Sequence, residues 1–368
     1  MSARRPLRLV IAGGGTGGHV FPGVAVADAL ARRVRDLDVT WVGTPRGIEA
    51  RVLPQTPWRF EPIELAGLNG VRGKKLLRAL AKLPPAAVAA LRVVRRARPH
   101  VALGVGGYAG GPVIALAALL GVPCAVLEPN AVPGLTNRAL SRLVKRAFLT
   151  HEETLGAFPK GVGLVTGSPV RRAFLDRMAS GVPLDETPTL LVLGGSQGAK
   201  AINEAVPGAV AALRARGLSL RVVHQTGAAS REAVREAYAG LGLEAEVVAF
   251  IDDVAAVMES ASLVLCRAGA MTVAELGVLG RPALYVPLPS AADDHQRKNA
   301  EALTAKGAAQ WIPQSRLTPE YLADALADLF GAPDVLMEMG MNAWLGARPD
   351  AAGVIADELL RLSGFKAD

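Results

Sequence analysis

A chain of 368 residues exceeds one ordinary hydrophobic core and predicts two domains. Its 51% hydrophobic content with only 4% aromatics suits Ala/Val/Leu-filled α/β layers, and Cys124 and Cys266, far apart in apolar runs, read as reduced core thiols of a cytosolic protein, not a disulfide framework. The formal net charge is +8, with no apolar leader before the first strand and no uninterrupted apolar run of roughly 20 residues, which predicts neither a signal peptide nor a membrane span.

Leu9-Val10-Ile11-Ala12 reads as a buried strand, and Gly13-Gly14-Gly15-Thr16-Gly17-Gly18-His19 as a turn where backbone comes close to something else. Pro22 sits where a helix can begin, with Val24, Val26, Ala27 and Leu30 as its apolar face. Strand, glycine loop and helix together present backbone N–H groups and a positive helix end to an anion. Gly13-x-Gly15-x-x-Gly18 fits the dinucleotide fingerprint, but that fingerprint also requires an acidic residue at the end of the second strand. Here the second strand, 39–42, ends in Gly43-Thr44-Pro45. The nicotinamide reading fails on that requirement.

A short helix at Arg46–Leu53 and a strand near Trp58–Ile63 follow, then the loop Gly67–Gly73. From Leu65 to Leu127 there is no Asp or Glu, while nine basic residues between Arg72 and Arg98 interleave with leucines and valines. The segment lacks aromatics for base stacking, so nucleic acid is not expected as a partner. An anionic membrane surface suits it better. Strand 101–105 runs into a second glycine loop, Gly106–Gly111. Strands at 124–127 and 146–150 complete this half, and the region around 167–188 links onward.

The pattern then restarts. Strand 190–193, the turn Gly194-Gly195-Ser196-Gln197-Gly198 and a helix to about Arg216 are followed by strands at 219–224, 246–250, 262–265, 283–286 and 308–312. Two such series predict an α/β protein of two doubly wound, Rossmann-like domains facing across a cleft, with ligands beyond the carboxyl ends of the strands. The expected division is 1–166 and 167–347, with a C-terminal helix at 348–368 returning to the first domain.

Four groups fall at strand ends of the second half. Ser196 reads as a helix cap, Asp252-Asp253 as a helix start, and Thr272-x-x-Glu275 as a capping box. Asp293–Asn299 begins a helix after Pro287 and Pro289. Taken together they also suit a sugar nucleotide. The Gly269–Thr272 turn offers N–H groups to a diphosphate, Glu275 a carboxylate to a ribose, and Gln296 and Asn299 amides to a sugar. No His/Cys/Asp/Glu spacing suggests a metal site.

Gly14-Gly15-Thr16-Gly17-Gly18-His19-Val20-Phe21-Pro22-Gly23, Gly106-Gly107-Tyr108, Gly134-Leu135-Thr136-Asn137 and Gly194–Ala199 occur in the order found in one family. So do Phe250-Ile251-Asp252-Asp253, Cys266–Glu275 and His295-Gln296 with Asn299-Ala300. Over nearly its whole length the chain resembles the MurG-type N-acetylglucosaminyltransferases. The resemblance implies a GT-B fold with UDP-N-acetylglucosamine as donor and lipid I as acceptor, inversion at the sugar carbon, and lipid II as product. It implies a peripheral enzyme at the cytoplasmic face of the membrane, with neither cofactor nor metal.

By motif, the resemblance places Thr16, Gly17, Gly18 and Asn130 at the donor sugar and Tyr108 and Asn137 on the acceptor side. Arg171, Ser196 and Ile251 would meet the uridine and phosphates. Ala270, Met271, Thr272, Val273, Ala274 and Glu275 would wrap diphosphate and ribose, and Gln296 would hold sugar hydroxyls. The sequence departs from the family pattern at Leu127-Glu128-Pro129-Asn130, at Ser168 before Pro169-Val170-Arg171, and at Asp294. His19 is the leading general base, since a histidine's ordinary pKa of about 6.5 suits proton transfer near neutrality; Glu128 is the second. Two alternatives remain: a sugar-nucleotide epimerase of the same architecture, which needs no membrane-facing segment, and a non-enzymatic sugar-nucleotide or membrane-binding module, which needs no His19.

Overall fold

The computed structural model describes residues 6–64, 83–107, 109–178, 181–183, 185–195 and 198–365. The chain divides into two compact units, Met1–Arg171 with Arg348–Asp368, and Arg172–Ala347. Both are all-parallel sheets with alternating helices, the Rossmann-like α/β class expected. The first unit runs past residue 166 because Thr166 and Gly167 both donate backbone N–H bonds to the Leu149 carbonyl, and Ser168 Oγ lies 2.7 Å from Thr150 Oγ1.

The first sheet contains β1 (Leu7–Gly13), β2 (Leu37–Gly43), β3 (Arg59–Pro62), β4 (Val101–Gly106), β5 (Cys124–Glu128), β6 (Arg146–Leu149) and β7 (Gly163–Val165), in the order β3-β2-β1-β4-β5-β6-β7. The apolar run of β1 lies almost wholly out of solvent, as a central parallel strand requires. Strand order reverses between β1 and β4, which puts both glycine loops at the topological switch point. β7 lies beyond the last strand expected; three residues with a partly exposed Leu164 carry too little pattern to read.

The first helix spans Gly17–Ala31, so Pro22 is inside it and not at its start. A proline there forgoes one bond, to the Gly18 carbonyl, close to the helix end where the loss disturbs least. The helix expected at Arg46–Leu53 shortens to Glu49–Val52 followed by a 3₁₀ turn at Leu53–Gln55. The helix Ala351–Ser363 closes the first unit by burying Ile355, Ala356 and Leu359 in its core.

Of the basic segment Arg72–Arg98, residues 72–82 lie outside the described residues. The helix Leu83–Ala97 turns Ala86, Ala90, Val93 and Val94 into the core and leaves Arg92, Arg95 and Arg96 exposed. Arg96 pairs with Glu61 at 2.6 Å. The valines read as surface-seeking are therefore core residues, apart from Val88, which is 45% exposed. Among the described residues, no helix is long and apolar enough to cross a membrane.

The second sheet contains β8 (Thr189–Leu193), β9 (Arg221–Gln225), β10 (Glu246–Val248), β11 (Leu263–Cys266), β12 (Ala283–Tyr285) and β13 (Gln310–Trp311), in the order β10-β9-β8-β11-β12-β13. The helix Lys200–Ala215 packs on it through Ile202, Val206, Ala209 and Leu213, spaced for one face. Cys124 on β5 and Cys266 on β11 are both buried free thiols, and burial pushes Cys124 up to about 12.

His224 on β9 is fully buried, with Nε2 3.1 Å from Asn203 Oδ1 and Nδ1 3.1 Å from the Tyr238 hydroxyl. Asn203 donates its amide to the Thr226 carbonyl, so its oxygen faces the ring; the proton sits on Nε2 and Tyr238 donates to Nδ1. Burial lowers the His224 pKa to about 4. An unfolded chain takes up this proton below about pH 6.5 while the native state does not. Stability is therefore complete above that pH and falls toward pH 4, by about 3 kcal/mol in total from this group. Urea unfolding from about pH 7.5 to about pH 4.5 should show this decline, and His224→Gln should remove its share.

Candidate active site

In the first unit the glycine loops after β1 and β4 meet backbone to backbone. Gly13 is in register with Gly106, and Gly14 N–H donates to the Gly106 carbonyl at 3.3 Å. A Cβ on Gly13, whose φ is +137°, would stand 2.2 Å from that oxygen, so only glycine fits. Trp41 Nε1 donates to the Gly13 carbonyl at 3.0 Å and fixes the loop from beneath.

Thr16 precedes the first helix, with Gly17, Gly18 and His19 in its opening turn. His19 Nδ1 lies 3.0 Å from the Gly14 carbonyl and 3.3 Å from Thr16 Oγ1. A carbonyl only accepts, so Nδ1 carries the proton and Nε2 the lone pair. The ring rests on Gly106, where a Cβ would come within 2.6 Å of Cδ2. Gly14, Gly15, Thr16, His19, Arg46 and Gly107 border an open pocket of about 490 Å³.

The loop differs from expectation in one respect. Its N–H groups are not all left for a ligand, because Glu49, fully buried, accepts from Gly15 N and from Thr44 N and Oγ1, each at 2.8 Å. The carboxylate missing from the end of β2 arrives six residues after Gly43 and serves the protein's own loop. The sequence does not single it out; its one local signal is an acidic residue that follows two closely spaced glycines, Gly43 and Gly47, after the second strand.

Glu128 is buried at the end of β5, and each of its oxygens accepts twice. Oε1 takes Asn130 N (3.1 Å) and Nδ2 (3.3 Å); Oε2 takes Gly134 N and Asn137 Nδ2, both at 2.9 Å. Burial raises its pKa, and these donors oppose the rise. With all four acceptor positions used, Glu128 holds the 128–137 loop and is not poised as a second base. Asn137 is itself buried, its amide shared between Glu128 and the Leu127 carbonyl, so it supports the loop instead of facing an acceptor. Glu128 borders a cavity of about 10 Å³ together with Gly18 and Pro22, which brings the two loops together. Tyr108 lies outside the described residues. Arg171 belongs to the first unit, its guanidinium 4.6 Å from the centre of the Phe21 ring.

In the second unit the turn after β8 is latched by Gln225, which accepts from Gly195 N–H at 3.0 Å and donates to the Gly195 and Ala249 carbonyls. The following helix begins at Lys200, and Ser196, expected as its cap, lies outside the described residues. A pocket of about 670 Å³ opens here, lined by Gly194, Gly198, Lys200, Arg267 and Gln314 among others. Arg267 is fixed by the Val286 carbonyl (2.8 Å), the Pro287 carbonyl (3.2 Å) and Gln314 Oε1 (2.7 Å), a cation to which the sequence motifs assign no role.

The helix Ala270–Leu279 starts after Gly269, so Thr272 lies within its first turn and the capping-box account of Glu275 fails. Glu275 is 5% exposed, and Met271 points into the core; Ala270, Thr272, Val273 and Ala274 are half-buried. Asn299 donates to the Ala268 carbonyl at 3.2 Å and ties the helix His295–Thr304 to this turn. Gln296 Oε1 accepts from Leu288 N at 3.0 Å. Ile251 is half-buried after the edge strand β10, and Asp253 caps the next helix by accepting from Ala256 N. Among the described residues no His/Cys/Asp/Glu group could hold a metal ion.

The glycosyltransferase family 28 N-terminal domain matches residues 9–149 and the family 28 C-terminal domain residues 189–354. A UDP-N-acetylglucosamine–N-acetylmuramyl-(pentapeptide) pyrophosphoryl-undecaprenol N-acetylglucosamine transferase of Myxococcus xanthus is 44% identical over 95% of this chain and 92% of its own. The crystal structure of Acinetobacter baumannii MurG superposes with a TM-score of 0.80 at 34% identity, covering 97% of this chain and all of that one. A UDP-GlcNAc 2-epimerase from Neisseria meningitidis shares the fold alone, with a TM-score of 0.68 at 14% identity over 96% of this chain and 99% of that one.

Proposed function

This chain belongs to glycosyltransferase family 28, and on that premise we propose the reaction it performs. It transfers N-acetylglucosamine from UDP-N-acetylglucosamine to lipid I, undecaprenyl-diphospho-N-acetylmuramoyl-pentapeptide, and yields lipid II for peptidoglycan synthesis. The observation that carries this reading is the extent of the similarity, since the Myxococcus relative matches 95% of the chain at 44% identity. A 14% likeness to an epimerase supports no more than the shared fold.

Chemically, the acceptor hydroxyl attacks the anomeric carbon as the bond to the UDP oxygen breaks, and a single displacement inverts that carbon. His19 Nε2 takes the hydroxyl proton. UDP collects negative charge as it leaves, and the N-terminus of the helix Ala270–Leu279 offers N–H groups and a positive dipole end to it. Glu275 holds the ribose and Gln296 the sugar. Ser196, Ile251 and Arg171 serve the nucleotide. Thr16, Gly17, Gly18 and Asn130 serve the donor sugar, and Tyr108 is assigned to the acceptor.

The protein works at the cytoplasmic face of the membrane, docked on anionic lipid through the segment Arg72–Arg98. Exposed Arg92 and Arg95 beside Val88 support this for the described part. Incubation with labelled donor and lipid I, in anionic and in zwitterionic vesicles, tests the whole reading. Label should pass to lipid only when lipid I is present, with release of UDP, and faster in anionic vesicles. Epimerised donor without lipid I, or binding without turnover, would replace it with one of the two alternatives.

A further inference from the structure

One peptide group in the first glycine loop is held from both ends. The N–H of the Gly14–Gly15 peptide donates to Glu49 Oε2 at 2.8 Å, and its carbonyl accepts from His19 Nδ1 at 3.0 Å. A trans peptide is planar with its N–H and C=O pointing in opposite directions, so Glu49 and His19 address opposite sides of one rigid plate. Glycines on both sides leave this plate unusually free to rotate, since neither residue carries a Cβ to oppose a flip. Turned over, the plate would aim an N–H at His19 Nδ1, drive the ring proton to Nε2 and remove the lone pair assigned to the base.

We propose that Glu49 is a positioning residue that selects the His19 tautomer through the Gly14–Gly15 peptide. The inference rests on His19 being the base in the reaction above. The carboxylate is built for the purpose. It is fully buried, and its second oxygen is anchored by Thr44 N and Oγ1. The surrounding chain makes room for it: a Cβ on Gly14 or Gly47 would come within 2.4 Å of carboxylate atoms, and one on Gly43 within 2.7 Å of Cγ. An acceptor-only group is required on this side, because it stabilises the plate in one orientation and repels the carbonyl that a flip would present.

Glu49→Gln tests this directly. The amide oxygen is drawn to the two donors of Thr44, which leaves an NH₂ facing the Gly15 N–H and favours the flipped plate. Nitrogen-15 NMR of the histidine rings should show His19 as the Nδ1–H tautomer in the wild type and a shift toward Nε2–H in Glu49→Gln. Turnover should fall about 10- to 100-fold with the donor KM unchanged. In a His19→Ala background the same substitution should cost nothing further. Thr44→Val, which loosens the carboxylate's anchor without reversing the plate, should keep the wild-type tautomer.

Three results would overturn the proposal: an Nε2–H His19 in the wild type, which needs no variant at all; an unchanged tautomer in Glu49→Gln; or a full additional loss in the His19→Ala background. The NMR readings do not depend on turnover. A wild type that transfers no sugar while its tautomer responds as expected would therefore overturn the reaction and leave the peptide clamp standing.

Discussion

His19→Ala lowers kcat by about 10²–10⁴-fold, the range for loss of a positioned general base. The structure gives this expectation its direction. Nδ1 is engaged with the Gly14 carbonyl, so the remaining nitrogen of the neutral ring is the one able to accept a proton. The ring also sits at the border of the 490 Å³ pocket. Since protonation silences a base, the wild-type rate should fall on the acid side of the profile, and the variant should lose that limb. Affinity for UDP should not change. Steady-state kinetics across pH decide the matter: a loss confined to KM would make His19 a ground-state binding group.

Glu275→Ala weakens UDP binding by about 1.5–3 kcal/mol, the range for a hydrogen bond to a charged group. That is roughly 10- to 150-fold in Kd. Thr272 is not the helix cap, so a capping box does not account for this glutamate. Glu275 is a buried carboxylate, 5% exposed, in a helix whose preceding turn is tied to Asn299. Calorimetric titration with UDP reads the effect. Unchanged affinity in a folded variant would leave Glu275 a structural residue of the helix.

The parts of the fold legible in the sequence were those written in continuous apolar pattern. β1, β4, β5, β8 and β11 are central strands buried on both faces, and each announces itself as a short run of Val, Ile, Leu, Ala or Cys. β7 is an edge strand of three residues, where neighbours and not local pattern decide the conformation. Pro22 is a signal for a helix start, but the helix begins five residues earlier, at Gly17, and holds the proline inside. At the site, the residues of the glycine loop were legible, but their hydrogen bonds were not. Glu49 reaches Gly15 across 34 positions, and Glu128 gathers Asn130, Gly134 and Asn137 around itself. A motif states which residues are present; it does not say whether a carboxylate faces substrate or its own backbone.

The return of the helix Ala351–Ser363 to the first unit sets an order of events during synthesis. Ile355 and Leu359 fill the first core, Asp357 pairs with Arg33 at 2.5 Å, and Glu358, held down to about 2 by Arg361 and Arg146, joins it to β6. None of the groups on this helix exists when the ribosome has finished the first seven strands. The whole of Arg172–Ala347 must be translated before they appear, on the order of 10–30 s at bacterial elongation rates. The second unit is contiguous in the chain and has all its residues in hand before that helix emerges. The half of the molecule that is made first thus waits with an uncovered apolar face on its sheet, and it is in this interval that a chaperone has something to hold.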